Sequence, residues 1–180
     1  MKERGFTIPE LLVSLLAFSL VIGGATNLLL TGIIAQRHSL ATEELLDQTS
    51  FLAEYMTRVL RQAQKDLGPT CLSTSGLNYE LTLGGQGVKF LNNAGQCHEF
   101  LLQGTRIQES IPPAPAEFLT SDNLEVVSLQ FVLLGENQTD DLQPRVTFGM
   151  VIQGQGPKPE SKPSIQLHTT VSQRKVDVPN

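Results

Sequence analysis

Between Leu11 and Gln36 the chain carries no charged side chain. As an α-helix this run is roughly 35–40 Å long, enough to cross a hydrocarbon core of ~30 Å. A secretory signal has a shorter apolar region of about 7–15 residues, closed by a small-residue cleavage site. "GGAT" at Gly23–Thr26 mimics such a site, but apolar sequence continues past it to Ala35, and a helical pattern follows Arg37. The run therefore reads as a membrane anchor. Lys2 and Arg4 precede it, whereas Glu43, Glu44 and Asp47 follow. By the positive-inside rule the chain crosses the inner (cytoplasmic) membrane once, with a cytoplasmic N-terminus and its bulk outside.

Glu10 sits at the border of this run. At the centre of a spanning helix a charge costs about 2.5–3.5 kcal/mol and normally needs a partner. No cation in the following turns of the same helix supplies one, and Ser14 is the sole polar neighbour downstream at helical spacing. A partner can come from another copy. A cut after Gly5 gives Phe6 a new α-amino group at membrane level, able to meet Glu10 of a neighbouring subunit. Such pairing in a low-dielectric setting is far better than a lone buried carboxylate.

The stretch "RGFTIPELLVSLL" closely resembles the class III signal of type IV pilins and type II secretion pseudopilins: a short basic leader (Lys2 to Arg4), Gly5 before the scissile bond, Phe6 after it, and Glu10 five residues into the mature chain. The resemblance implies cleavage of Gly5–Phe6 by a prepilin peptidase and N-methylation of Phe6. It also implies an inner-membrane assembly platform and other pilin or pseudopilin subunits as partners, and a final place in a cell-surface or periplasmic filament. The segment from "LTSDNLEVVSLQFVL" to "SIQLHTTVSQR" looks, more loosely, like the end of minor subunits of the J/W kind. The competing reading is an anchored extracytoplasmic binding module that stays monomeric in the lipid bilayer. Pro9 fits the first turn of a helix under either reading. Gly23 and Gly24 cost a helix about 1–2 kcal/mol relative to alanine. They mark either a weak point that stretches when subunits pack or a place of close helix–helix approach.

Past the apolar run, Leu45, Leu52, Tyr55 or Met56, Val59, Leu60, Ala63 and Leu67 recur at three- and four-residue steps, with Glu44, Asp47, Glu54, Arg58, Arg61 and Lys65 opposite. This is an amphipathic helix ended by Gly68-Pro69. One helix is expected from about Thr7 to Leu67. Strand signals follow: "NYELTL" and "VKFLNN" around "GGQG", then "CHEFLLQ" and "TRIQES" around Gly104, each a hairpin. "PPAPAEF" reads as a stiff linker. Three longer alternating segments place Val127, Leu129, Phe131, Leu133; Val146, Phe148, Met150, Ile152; and Ile165, Leu167, Val171 on one buried sheet face. The expected class is α+β: a long N-terminal helix packed on an antiparallel β domain. Its divisions are a leader (1–5), a transmembrane and filament-core helix (6–36), an amphipathic half (37–68) and an extracytoplasmic β domain (69–180).

Chemistry is sparse. Cys71 and Cys97, both outside the cytoplasm, suit a disulfide. Two cysteines without Cys-x-x-Cys spacing and three scattered histidines give no metal set. His38 directly follows the membrane run, and His168 alternates out of phase with Leu167 as a solvated strand residue. Cys97 and His98, adjacent in a strand, point to opposite faces and do not form a catalytic pair. No nucleophile motif or phosphate-binding glycine loop occurs, so neither an enzyme nor a cofactor is expected. Asp122, Glu136, Asp140 and Asp141 lack EF-hand spacing and read as solvated acids in place of a calcium site. "NQT" at Asn137 matches a glycosylation sequon too short to carry weight. A net charge of -5 gives no electrostatic footprint for nucleic acid.

Overall fold

The computed structural model describes residues 7–136, 142–156 and 162–175. A single helix, α1 (Ile8–Leu60), runs unbroken through Gly23 and Gly24. Thr7 precedes it in extended conformation, and Pro9 lies in its first turn, where a missing N–H leaves no bond unmade. Among the described residues nothing packs on the apolar half. Leu12, Val13, Phe18, Val21 and Leu28 are all exposed, as lipid or another protein would require. In the second half Leu45, Thr49, Leu52, Met56 and Leu60 turn one stripe inward and are buried.

The helix stops at Leu60, short of the expected Leu67. Gln62 donates its N–H to Val59 in a tight last turn, and Ala63–Gln64 (β1) pairs with the far end of a strand at Asn92 and Leu91. Nothing local breaks the helix there. Burial of Ala63 and two ladder positions outweigh a helix propensity that differs little among these residues. Leu67, expected on the buried face, is 61% exposed.

Two antiparallel sheets follow. β2 (Tyr79–Thr82) and β3 (Gly87–Asn92) form the first hairpin, and β4 (Cys97–Gln103) and β5 (Arg106–Ser110) the second, turning at Gly104 with φ 64°. β3 pairs β4, so these strands make one sheet, with β1 and β2 end to end along the outer edge of β3. The proline-rich linker is not wholly irregular: its end, β6 (Glu117–Phe118), pairs with β5. β7 (Leu124–Leu134), β8 (Arg145–Gly154) and β9 (Ser164–Ser172) form the second sheet in that order.

The inward sets of β8 and β9 follow the expected alternation: Val146, Phe148, Met150, Ile152 and Val171 are buried, and Ile165 and Leu167 partly so. In β7 a bulge between Val126 and Ser128 breaks the alternation. An extra residue reverses parity. Leu124 and Val126 therefore face the core, as do Leu129 and Phe131 beyond the bulge, while Val127 is 54% exposed. One core joins helix and both sheets, from Leu52 and Met56 through Phe90, Phe100 and Ile107 to Phe131 and Phe148.

Candidate functional site

The N-terminal half of α1 is exposed and carries Glu10. Glu10 lies in the first helical turn, exposed, where a carboxylate is favoured by the positive end of the helix dipole. Ser14, its expected polar neighbour, donates to the backbone carbonyl of Glu10 at 2.8 Å and not to its carboxylate. Ser19, Thr26 and Thr31 likewise donate to the carbonyl four residues back. These hydroxyls are satisfied within the helix, which suits them to an apolar medium. Among the described residues no hydrogen bond or ion pair reaches the Glu10 carboxylate. Gly5 and Phe6 lie outside the described residues. Among the described residues nothing comes close to Gly23, Gly24 or Gly32.

Cys71 and Cys97 are joined by a disulfide, with Cα atoms 5.3 Å apart. The bond clamps the loop after β1 to the start of β4 and, with Leu72 and Leu91, builds a small second core. Beside it stands a group the sequence reading missed. Asp66 is 1% exposed, and its carboxylate accepts N–H bonds from Thr70, Cys71 at 2.8 Å and Leu72 at 2.9 Å. Burial alone raises its pKa, but these donors outweigh burial and hold it below the usual aspartate value. The local signal was an Asp just before Gly68-Pro69, a pattern that favours side-chain-bonded turns.

His98 is buried and forms no pair with Cys97. Its Nε2 is 2.9 Å from Asn92 Nδ2, its ring packs on Phe90, and its Nδ1 is 3.4 Å from Glu109 Oε1. The other Glu109 oxygen accepts the Tyr55 hydroxyl at 2.8 Å. Burial first, then that carboxylate, pushes the Tyr55 pKa up to about 12. This polar chain ties α1 to the first sheet. Its signal was parity: His98 alternates with Phe100, and Glu109 with Ile107, so each shares the core face.

His38 lies on the helix and His168 is exposed on β9, its ring over Gly149 and its Nε2 2.8 Å from Gln166. Among the described residues no group of His, Cys, Asp and Glu is arranged to hold a metal. Of the suggested acids, Asp122 pairs with Arg106, and Glu136 accepts the backbone N–H groups of Asn78 and Tyr79. Asp140, Asp141 and Asn137 lie outside the described residues.

Residues 1–26 match the prokaryotic N-terminal methylation motif. No curated protein and no solved structure matches the chain. α1 is the one helix among the described residues long and apolar enough to cross a membrane, and its apolar stretch has no residue buried by the rest of the chain. That motif at one end and a helix laid on antiparallel sheets at the other support a type IV pilin-like prepilin.

Proposed function

We propose that the protein is a structural subunit, of the minor kind, of a type IV pilus or a type II secretion-like filament. Prepilin peptidase cuts Gly5–Phe6, Phe6 is N-methylated, and the platform in the inner membrane moves the subunit into the filament. Glu10 then meets the Phe6 amine of a neighbour. The observation that carries this reading is a carboxylate that no described residue partners, on a helix whose apolar half meets none of the other described elements. A monomeric anchor gains nothing from a charge at the lipid border, whereas an assembling subunit discharges it on contact.

Mass spectrometry of the protein from cells tests processing: the expected N-terminus is N-methyl-Phe6, and an intact Met1 leader supports the anchored binding module instead. Glu10→Leu is expected to insert and be cleaved normally while its recovery in sheared filaments drops at least tenfold. Undiminished recovery overturns the pairing.

A further inference from the structure

An outermost strand leaves half of its backbone groups unpaired, and proteins normally block such an edge. The second sheet has two edge strands. Along β7 the edge is occupied: Val126 donates its N–H to the Thr105 carbonyl at 2.8 Å, and Gln130 donates its side-chain amide to the Gly84 carbonyl. β9 has no such cover. Its phase follows from the Gly154 N–H bond to the Pro163 carbonyl at 2.9 Å, since the β8–β9 register sets Gly154 opposite Pro163. Bonded pairs alternate from there, so Ile165, Leu167, Thr169 and Val171 bond to β8. The N–H and C=O groups of Gln166, His168, Thr170 and Ser172 point away from it. Among the described residues none of these groups has a backbone partner. The strand "SIQLHTTVS" also lacks the usual blocks: it has no proline, no Lys, Arg, Asp or Glu, and a register without a bulge. Ile165 and Leu167, on its core face, are only partly buried.

The open edge runs into positive charge. Thr170 and Ser172 line an open cleft with Arg58, Arg61, Arg174 and Lys175, and among the described residues Glu54 is the sole acid there. Arg174, the next outward position, donates its N–H to the Arg61 carbonyl at 2.9 Å and closes the edge against the end of α1. Among the described residues Arg58, Arg61 and Arg174 form no ion pair.

We infer that this edge and cleft together take an extended, acidic segment of a different protein as an added strand. Main-chain bonds to the four outward residues give affinity for an extended chain, and the side chains beside them give selectivity. The basic end selects carboxylates, which make charge-assisted bonds to the arginines. At the other end Ile165 and Leu167 gain cover from apolar side chains. A helix or a small anion meets only part of this, because neither presents donors and acceptors at strand spacing. A second copy offering its own β9 brings no carboxylate to the arginines, since that strand carries none. The site belongs to the β domain and the end of α1, so the inference holds whether or not the chain enters a filament.

Full-length protein in detergent micelles tests this by fluorescence anisotropy, with a labelled nine-residue peptide, the length of β9, alternating valine and glutamate. Saturable binding is expected. Arg58→Glu with Arg61→Glu is expected to weaken it about tenfold or more, and to bind instead the same peptide with lysine in place of glutamate. N-methylating the peptide backbone removes its donors and keeps its charge, and is expected to weaken binding to the unaltered protein by about as much. His168→Pro removes one outward N–H without touching the β8 ladder. It is expected to weaken binding while the unfolding midpoint stays near that of the unaltered protein. Binding that survives N-methylation is charge attraction alone and overturns strand addition. Absence of binding, or binding indifferent to the charge reversal, overturns the inference. Self-association of the protein that the peptide displaces makes a second copy the occupant and overturns a different protein in that role. Whether the leader is cut bears on the filament reading and moves none of these outcomes.

Discussion

Asp66 is a carboxylate with almost no access to water, and it stands because three backbone donors converge on it. Asp66→Asn keeps one acceptor oxygen for the N–H groups of Cys71 and Leu72 and turns its NH2 toward the Thr70 N–H. It is expected to lower stability by about 2–3 kcal/mol in denaturant titration, the range for hydrogen bonds to a charged group. The aspartate's folded pKa lies below its unfolded value, as does that of Glu80, held down first by Ser73. Their contribution is complete above the unfolded pKa, near 4, and is lost as pH falls below it toward the folded values. At the other end of the scale Tyr55 is raised to about 12 and Tyr79, buried with its hydroxyl on the Leu60 carbonyl, is raised as well. A raised pKa stabilises below the unfolded value, near 10, and is lost as pH climbs to the folded one. Stability is therefore expected to be flat at neutral pH and to fall from about pH 10, less steeply in Tyr55→Phe. An unchanged slope in that variant places the effect elsewhere.

At the scale of elements, α1 keeps one conformation while its first half is bare and its second half packs on the domain. Its hydroxyls bond back to the helix, and its paired glycines leave a patch of bare backbone in the apolar half. Gly23→Ala with Gly24→Ala is expected to stiffen the isolated helix by about 1–2 kcal/mol. If the glycines serve close packing, the same double change is expected to reduce filament recovery although the helix itself is more stable. Unaffected recovery means that neither stretching nor close approach is needed there. The hairpins and their turns were legible in short stretches because turn residues and alternation are local signals. The end of α1 and the parity of β7 were not. Residues Arg61 to Leu67 are all compatible with helix, and only the edge of β3 draws Ala63 away. Val127 differs in no local way from Val126; the bulge is decided by what β8 offers across the ladder.

At the scale of the whole molecule, a two-sheet domain hangs on the second half of a helix whose first half meets none of the other described elements. The Cys71–Cys97 bond closes a sequence separation of 26 residues. In the chain-entropy model it stabilises by about 3.5 kcal/mol. Cys71→Ser with Cys97→Ser is expected to lose about that much, and to make the loop holding Asp66 the first segment cleaved by protease. Equal stability of the two forms shows that Asp66 and the small core around Leu72 hold the loop by themselves.

The sequence by itself determined the long apolar helix, the N-terminal methylation motif and the class of fold. Each is written in runs or spacings along the chain: an uncharged stretch, a basic leader, glycine and glutamate at fixed distances, alternation by two. Tertiary structure alone decided where the helix yields to the sheet, which valine faces inward and which polar groups are buried together. Those outcomes depend on partners distant in the chain, whose packing and hydrogen bonds outweigh local preferences of less than about 1 kcal/mol per residue.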